Sequence, residues 1–516
     1  MVESDRATPT NGKFSVLAAV CLAALVLPLS FSAGAVATPS IGRALGGDAA
    51  ALTWITNAFM LTFGSSLMAA GALADQVGRR RVFLSGIVCF VVLSCALSLA
   101  PTVLVLDLLR AAQGLAAAAA LAGGSAVLAQ EFDGTARIRA FSLLGTTFGL
   151  GLAFGPILAG VLIDAYGWRS VFLSAAAVGA LAIAFGGPRI KESRDPNATG
   201  LDWPGSITFT AALTMVTFGV IEGPAFGWTS PPVLLLFAGA VVMLAAFITA
   251  EKRSSRPMLD LSLFRYPLFV GVQVLPVATC YCYVVLLVAL PLRFIGIEGR
   301  SETEAGLMTL ALSAPMLFVP FGAALLSRWL SAGLLSSAGL LVAAAGLLWL
   351  GRIAPGSGAV DYIGPMLTIG AGTGFPWGLM DGLSVSVVPR ERAGMATGIF
   401  STMRVAGEGI ALAIVGALLS ALLIAQLTAL QPETMPLERT AAALRLATGD
   451  AAPALALVGP AGREALVAGY GRAFAQFLDI LAAITAVSAA VVFVLFRYDR
   501  TETPVLDAAG EGASGR

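Results

Sequence analysis

Long apolar runs, each closed by Gly, Pro or charged residues, fill most of the chain. A helix needs about 20 predominantly apolar residues to cross the hydrocarbon core of a bilayer. Fourteen runs approach or exceed this length. They cover residues 16–37, 52–74, 82–100, 103–127, 140–162, 170–187, 206–225, 232–250, 269–291, 305–326, 333–350, 362–385, 396–424 and 474–496. This pattern predicts an all-α membrane protein with fourteen transmembrane helices.

Polar segments divide the fourteen spans into groups of six, two and six. The seventh and eighth spans follow GGPRIKESRDPNATGLDW and precede EKRSSRPMLDLSLFRYPLF. We therefore expect an N-terminal six-helix bundle over residues 1–187 and a linker with two extra transmembrane helices over 188–260. A C-terminal six-helix bundle is expected over 261–516, with a long outer loop at about 425–472.

The composition supports a membrane protein and excludes several other classes. Of the 516 residues, 58% are hydrophobic and only 12% are charged, whereas soluble domains carry about 25% charged residues. The formal net charge of +1 offers no basic surface for nucleic acid. The chain has no His, and its five Cys lie inside apolar runs, so we expect no metal site, no cofactor and no disulfide framework.

The distribution of Lys and Arg predicts the orientation in the membrane. With the N-terminus inside, 20 of the 31 lie in cytoplasmic segments, nine in outer segments, and two, Arg110 and Arg404, within spans. Cytoplasmic loops carry an excess of Lys and Arg in multi-span membrane proteins. We therefore expect both termini in the cytoplasm.

The loop after the second span carries a specific motif, GALADQVGRRR at 71–81. It resembles the cytoplasmic loop signature of the major facilitator superfamily through Gly71, Leu73, Ala74, Asp75, Gly78, Arg79 and Arg80. The glycines permit close approach and a tight turn, and an acid at a helix end can meet arginines. The resemblance implies that Gly71, Asp75, Gly78, Arg79 and Arg80 form a conformational latch on the cytoplasmic side. The alternative is an ordinary positively charged loop.

The fourth span contains LDLLRAAQG at 106–114, which resembles the second superfamily motif through Arg110, Gln113 and Gly114. An arginine near mid-membrane costs about 2.5 to 3.5 kcal/mol on insertion scales, so it should face the bundle interior and hold a partner. Asp107, one turn earlier, is the predicted partner. The resemblance associates Arg110 with proton transfer or substrate charge. Alternatively, the Asp107–Arg110 pair only fixes helix packing.

The fifth span contains GLAFGPILAG at 151–160. It resembles the motif that marks exporters within the superfamily, through Gly151, Gly155, Pro156 and Gly160. A stripe of small residues lets membrane helices pack closely, and a proline removes one backbone donor and favours a bend. The resemblance therefore implies export rather than import.

Further segments extend the resemblance over nearly the whole chain, among them WITNAFMLTFG at 54–64, GWRSVF at 167–172 and IEGPAFGW at 221–228. Together with fourteen spans, the chain resembles the fourteen-span drug:proton antiporter family. That family implies a major facilitator fold, two six-helix bundles plus two linker helices, working by alternating access. It further implies export of lipophilic or amphipathic small molecules from the cytoplasm, with protons and the lipid bilayer as the other partners, and no enzymatic activity.

One departure from the family pattern concerns proton coupling. Family members commonly carry an Asp in the first span, about nine residues before a Pro, but LSFSAGAVATP at 29–39 has Ser30 there. Either the coupling acid lies elsewhere, or the protein is an uncoupled or differently coupled exporter of a lipid or metabolite. The alternatives of another class are a membrane enzyme or a channel. The sequence shows neither a nucleotide motif nor a filter-like loop to support them.

Glu408 is the best candidate for the missing coupling acid. It lies near mid-depth of the thirteenth span in MRVAGEGIALAIVG, between two glycines. A proton-coupling group must respond to desolvation, and without His the choice falls on carboxylates. Arg404, four residues earlier, could pair with Glu408 permanently, which would make Glu408 structural. Arg110 and Asp107 are further coupling candidates, whereas Glu222 fits an interfacial role better and Asp381 a helix-end or gating role.

Polar and aromatic residues on several spans are candidates for a central substrate cavity. They are Asn57, Phe59, Gln113, Gln273, Tyr281, Tyr283 and Trp377. Aromatic side chains also anchor helices at membrane interfaces, so each of these has a structural alternative.

Overall fold

A computed structural model describes residues 10–194, 202–254, 259, 261–387, 393–430, 435–458 and 463–497. Within these ranges the chain is helical and contains no strand, which confirms the all-α prediction. Both chain termini lie outside the described residues, as does part of the segment between the sixth and seventh spans.

The first eight helices match the first eight predicted spans. They are α1 (Thr10–Leu45), α2 (Ala49–Val77), α3 (Arg79–Ser98), α4 (Val103–Glu131), α5 (Gly134–Tyr166), α6 (Arg169–Gly186), α7 (Trp203–Phe226) and α8 (Pro231–Arg253). Several exceed the predicted apolar runs, since polar residues at both ends continue the helix beyond the hydrocarbon core. Asp48 and Thr102 cap the first turns of α2 and α4 by accepting backbone hydrogen bonds.

The remaining helices follow the short 3-10 turn Leu261–Arg265. They are α9 (Pro267–Thr279), α10 (Val285–Pro291), α11 (Glu302–Ser313), α12 (Val319–Leu326), α13 (Ala332–Leu350), α14 (Ala359–Ser386), α15 (Ala393–Leu430), α16 (Pro436–Ala447), α17 (Ala451–Val458) and α18 (Arg463–Arg497). The predicted long outer loop at 425–472 contains α16 and α17 as two short helices.

Thirteen helical segments in the described ranges are long and apolar enough to cross a membrane. The α9–α10 segment, Pro267–Ile297, and the α11–α12 segment, Glu302–Leu326, each count as one span. The remaining predicted span, the twelfth at 362–385, is α14, a 28-residue helix whose six glycines and two prolines lower its mean hydropathy. Its length matches that of the other spans, so the described helices agree with fourteen crossings.

Two π-helical stretches interrupt the ninth span, at Cys280–Val284 and Leu292–Ile297. Such stretches widen a helix locally and often occur at functional sites. Pro276 and Pro291 lie inside the helices that precede them, where each removes a backbone donor.

Helix packing defines two bundles with a seam between them. Within the N-terminal bundle, α1 packs on α5 and α6, and α4 packs on α2 and α3. In the C-terminal bundle, α13 packs on α14 and α18. Across the seam, α5 packs on α11 and α2 packs on α15, while α7 packs on both α2 and α15. The α7–α8 pair therefore lies beside the seam, outside both bundles.

We name the two ends of the molecule by their turns. The α1–α2 end holds the turn between Leu45 and Ala49, and the α2–α3 end holds the turn at Gly78. Gly78 has a φ of +128°, which favours glycine and lets α2 and α3 join with one intervening residue.

Candidate functional site

Small residues bring the two bundles into backbone contact at the seam. A Cβ added at Gly64 on α2 would lie 2.6 Å from the Cα of Ala406 on α15. One turn further along, a Cβ at Gly409 would lie 3.3 Å from the Cβ of Met60. This close approach places Glu408 of α15 at the junction of the bundles.

Arg110 lies fully buried among α1, α2 and α4. Its Nε donates to the carbonyl of Ile55 at 2.9 Å, and its Nη1 donates to Gln113 Oε1 at 2.7 Å and to Ser30 Oγ at 3.4 Å. The guanidinium carbon lies 4.4 Å from the ring centroid of Phe59, in a cation–π contact. Polar and aromatic groups thus replace a counter-charge around this arginine.

Asp107 does not form the predicted ion pair with Arg110. Among the described residues, Arg110 has no carboxylate within 4 Å, and its Nη2 is buried without a partner. Asp107 Oδ1 is likewise buried without a partner. Ser30, at the position where the family carries an acid, instead contacts Arg110, so this substitution removes a carboxylate from beside a buried cation.

Gln113 and Phe59, two predicted cavity residues, lie inside the N-terminal bundle. Both are fully buried. Gln113 accepts from Arg110 and donates from Nε2 to Ser94 Oγ at 2.8 Å, which satisfies its amide. These contacts hold Arg110 in place and leave neither side chain facing the seam.

The glycines of the exporter motif pack α5 on two different helices. Cβ atoms at Gly151 and Gly155 would clash with α1, at Leu25 O and Ser32 Oγ respectively. A Cβ at Gly160 would instead clash with the carbonyl of Glu302 and lie 3.1 Å from the Cα of Thr303, on α11 of the opposite bundle. The motif therefore builds one contact within a bundle and one across the seam.

Polar contacts join the bundles at the α1–α2 end. Glu302 of α11 accepts from Ser40 Oγ at 2.6 Å and forms an ion pair with Arg43, both on α1. The backbone N–H of Thr303 donates to Asp164 Oδ2 on α5 at 2.8 Å. Together with the close approach at Gly160, these contacts close the seam at this end.

The loop motif at 71–81 makes its contacts within the N-terminal part of the chain. Arg79 pairs with Asp75 at 2.9 Å and donates to Gln130 Oε1 at 2.7 Å. Arg80 donates to the carbonyl of Gly187 at 2.9 Å. A Cβ at Gly78 would lie 2.5 Å from Glu192 Oε1, while Gly71 has open space around it. Residues 388–392, at the same end before α15, lie outside the described residues.

Arg404 pairs across helices rather than along its own helix. Its Nη1 lies 3.2 Å from Asp381 Oδ1 on α14, and its guanidinium carbon lies 4.5 Å from the ring centroid of Phe148 on α5. A Cβ at Gly145, one turn before Phe148, would lie 2.6 Å from Asp381 Oδ2. Arg404 and Asp381 therefore form a second contact across the seam, nearer the α2–α3 end.

Glu408 is only 2% exposed, its Oε1 is buried without a partner, and its carboxyl group forms no ion pair with a described residue. Arg404 lies four residues before Glu408, within reach of its side chain, but forms its ion pair with Asp381. The Nε of Arg404 has no partner. The alternative of a permanent Arg404–Glu408 pair is thus not the arrangement observed. A charged carboxylate buried without a partner is strongly unfavourable.

Other predicted cavity residues leave buried polar atoms unpartnered near the seam. Gln273 on α9 is 4% exposed, and neither its Oε1 nor its Nε2 has a partner. Asn57 Oδ1 and Trp377 Nε1 are also unpartnered, and a Cβ at Gly149 of α5 would lie 3.0 Å from that indole nitrogen. Buried polar groups are normally hydrogen-bonded, so these atoms are available to a bound molecule or water.

Tyr281 and Tyr283 lie in the first π-helical stretch and differ in their surroundings. Tyr283 is fully buried, donates to Ser313 Oγ at 3.3 Å and packs edge-on against Trp377 with ring centroids 6.0 Å apart. Tyr281 is only partly buried. Tyr283 therefore helps to position Trp377 against α5.

A buried charged cluster at the α1–α2 end was not predicted from the sequence. Arg293 and Glu298 pair at 2.9 Å with side chains each 2% exposed, and Tyr362 donates to Glu298 at 2.9 Å. Arg300 also pairs with Glu298, at 3.2 Å. Burial by itself would lower the pKa of Arg300, but hydrogen bonds to Glu304 and Glu298 outweigh it and raise the pKa above its usual value. The spacing of acids and arginines in LRFIGIEGR was the available signal.

A family model described as Major Facilitator Superfamily matches residues 20–412. The chain belongs to the major facilitator superfamily. This membership confirms the resemblance carried by the loop at 71–81 and by the motifs in the fourth and fifth spans. The major facilitator architecture also accounts for the two bundles and the seam between them.

Several relatives cover most of this major facilitator's length. Multidrug resistance protein Stp of Mycobacterium tuberculosis is 34% identical over 395 residues, 76% of this chain and 73% of the relative. The drug efflux pump JefA of the same species is 32% identical, with 78% of each chain covered. The methylenomycin A resistance protein of Streptomyces coelicolor is 30% identical, covering 80% of this chain and 88% of the relative.

Solved structures share the fold at low sequence identity. A bacterial homolog to human lysosomal transporter Spinster, in an inward-facing and occupied conformation, matches with a TM-score of 0.64 and 16% identity. It covers 95% of this chain and 98% of that chain. A POT family transporter in complex with 5-aminolevulinic acid matches with a TM-score of 0.61 and 14% identity, covering 93% and 96%. The major facilitator described here is thus a multi-pass membrane protein of a transporter family.

Proposed function

We propose that this protein exports lipophilic or amphipathic drug-like molecules across the cytoplasmic membrane by alternating access, in exchange for protons. Relatives at 30 to 34% identity are named for multidrug resistance, drug efflux and antibiotic resistance. The glycine motif of α5 supports alternating access, because Gly160 lies at a contact between the bundles that must separate when the site opens at that end.

The orientation follows from the excess of Lys and Arg on one side. Both termini and the α2–α3 end face the cytoplasm in this proposal, and the α1–α2 end faces outward. The loop motif containing Asp75 and Arg79 then lies on the cytoplasmic side, where its contacts brace the turn between α2 and α3. The bundles over 1–187 and 261–516 move relative to each other, with the α7–α8 linker at their seam.

The observation that carries proton coupling is the unpaired carboxyl group of Glu408. One arginine, Arg404, lies near two carboxyl groups, the buried Glu408 and the partly buried Asp381, and is paired with Asp381. A second negative charge buried without a partner would cost several kcal/mol, so Glu408 carries a proton in this arrangement. A group that is neutral here and charged when the site opens to water can exchange a proton in each transport cycle.

The test is transport by a Glu408→Gln variant in everted membrane vesicles. A growth-inhibition panel of chemically diverse toxic compounds, in cells with and without the gene, first identifies an exported compound. We expect Glu408→Gln to abolish its uptake driven by a pH gradient, while the amount of folded protein in the membrane stays unchanged. Efflux equal to that of the unmodified protein would remove Glu408 from the mechanism.

Glu222→Gln provides a matched control on a membrane helix outside both bundles. Glu222 lies on α7 beside Trp54, and the substitution removes the same charge at the same size. We expect transport to persist in this variant. If Glu222→Gln abolished pH-driven transport and Glu408→Gln did not, the coupling acid would be assigned to α7 instead.

A second candidate function is export without proton coupling, of a lipid or metabolite. Ser30, which contacts Arg110 where the family carries an acid, favours this candidate. Collapsing the pH gradient separates the two: an uncoupled exporter keeps its transport rate, whereas an antiporter loses concentrative transport.

A further inference from the structure

One arginine of α15, Arg404, lies between the seam and the proton site that we propose at Glu408. Arg404 and Glu408 lie four residues apart on the same helix, so their side chains share one face. Arg404 is nevertheless paired with Asp381 on α14, at 3.2 Å. Its Nε, which has no partner, is a donor that is free for a second carboxylate.

Arg404 also contacts the opposite bundle. Its guanidinium lies over the ring of Phe148 on α5, with 4.5 Å between the guanidinium carbon and the ring centroid. Asp381, the ion-pair partner of Arg404, lies against Gly145 of α5. A Cβ added at Gly145 would be 2.6 Å from Asp381 Oδ2. This one side chain therefore joins α14 and α15 to α5 near the α2–α3 end.

We infer that Arg404 is a positioning residue that exchanges Asp381 for Glu408 when Glu408 loses its proton, and thereby opens the seam at the α2–α3 end. This inference rests on the proposed function and deepens it. With Glu408 neutral, Arg404 stays with Asp381 and Phe148. When the proton leaves to water, the Glu408 carboxylate pairs with Arg404. Arg404 then no longer contacts Asp381 or Phe148.

The surroundings of Glu408 offer its carboxylate no other countercharge. The nearest thiol, Cys280, lies with its Sγ 3.9 Å from the backbone carbonyl of Glu408 and carries no positive charge. Among the side chains that the structure describes, the charged groups on the other helices that pack against α15 are Asp75 on α2 and its cap Asp48, Glu222 on α7, Asp361 and Asp381 on α14, Glu438, Arg439 and Arg445 on α16, and Arg472, Asp479 and Arg497 on α18. Asp479, at the middle of α18, is an acid that pairs with Arg352 at 3.3 Å, and the cations of this set lie on α16 and toward the ends of α18. Arg404 is therefore the cation that a charged Glu408 would draw.

The exchange gives an order of events that suits an antiporter. In the proton-loaded form the bundles touch at both ends, through Glu302 at the α1–α2 end and through Arg404 at the α2–α3 end. Release of the proton opens the α2–α3 end, which faces the cytoplasm in the proposed orientation. The site is then open to the cytoplasm, the side from which an exporter binds its cargo.

The experiment measures the distance between spin labels on α5 and α14 as a function of pH, without any cargo. Leu143 and Ser386 are exposed near the α2–α3 end and take the labels as Leu143→Cys and Ser386→Cys. Cys89 and Cys95, which are exposed, are first replaced by Ala. We expect the short distance at acid pH and a longer one at alkaline pH, with the ratio changing about tenfold per pH unit for a one-proton equilibrium.

Three variants on this labelled background test the exchange. Glu408→Gln should keep the short distance at every pH, because its side chain stays neutral. Arg404→Gln should lose the pH response, and Asp381→Asn should extend the long-distance population to lower pH, because Arg404 then has one partner left. Size-exclusion profiles confirm that each variant is folded.

The outcomes separate this inference from the proposed function. If Glu408→Gln loses pH-driven transport but its label distance still responds to pH as in the parent protein, the exchange is refuted and proton coupling stands. If Glu408→Gln still transports against a gradient, the coupling role proposed for Glu408 fails, and the exchange fails with it. An Asp381→Asn variant whose pH response equals that of the parent would also refute the exchange.

Discussion

Gly160→Ala tests the contact between α5 and α11 at the α1–α2 end. In the structure this glycine faces the backbone of the other bundle, where an added Cβ would lie 2.8 Å from the carbonyl carbon of Glu302 and closer still to its oxygen. Both atoms belong to the backbone, so neither can rotate away as a flexible side chain would. The helices must therefore separate at this point to accept the methyl group.

The cost falls on one conformation only. Overpacking a tight contact costs about 1 to 3 kcal/mol. Because the contact exists only while the bundles touch at the α1–α2 end, this cost shifts the population away from that closed form by about 5-fold to about 150-fold. The bundles themselves keep their internal packing, so we expect thermal stability to change little while transport is lost or strongly slowed.

Distances between labels on Tyr166 and Val360 report this shift. Both residues are 78% exposed, and they lie at the same end of the molecule on α5 and α14. We expect a longer mean distance in Gly160→Ala than in the parent protein. Gly416→Ala on α15 is the matched control, because a Cβ there meets no atom within 4 Å. Unchanged distances and transport in Gly160→Ala would refute the reasoning.

Two further predictions concern buried arginines. Glu298→Gln should lower the stability of the C-terminal bundle by about 3 to 5 kcal/mol, because it leaves Arg293 buried without a countercharge. Tyr362→Phe, which removes one hydrogen bond from the same cluster, should cost about 1 kcal/mol. Thermal unfolding of the purified protein measures both, and equal effects would contradict the role of the charge. Ser30→Asp should raise stability by about 1.5 to 3 kcal/mol by placing a carboxylate beside Arg110, whose Nη1 lies 3.4 Å from Ser30 Oγ. The control is Ser30→Asn, and a variant no more stable than this control would show that Arg110 does not lack a counter-charge.

Much of the architecture could be predicted because it depends on local sequence. The spans follow from the length of apolar runs, since a bilayer requires internally bonded helices of about 20 residues. The α14 span was predicted in the same way, although its glycines and prolines keep it out of the thirteen segments that are apolar enough to be recognised by hydropathy. The loop at 71–81 and the motif at 151–160 identified the family without any knowledge of packing.

The partners of the buried charges could not be predicted from spacing. Arg110 and Asp107 are one turn apart, and so are Arg404 and Glu408, which makes each pair plausible on an isolated helix. In the folded protein, Arg110 donates to Ser30 on α1 and to the carbonyl of Ile55 on α2, besides Gln113 on its own helix, and Arg404 pairs with Asp381 on α14. Neighbouring helices thus offer partners at short distance, and their arrangement depends on how each helix is rotated.

The sequence by itself determined that this is a fourteen-span exporter-like major facilitator, because membrane insertion and family motifs act through residues that are close along the chain. Only the tertiary structure decided that Glu408 stands without a partner, that Gly160 touches the opposite bundle, and that Arg293 and Glu298 form a buried pair. Those facts depend on helices far apart in sequence meeting at particular depths and rotations, which apolar periodicity leaves undetermined.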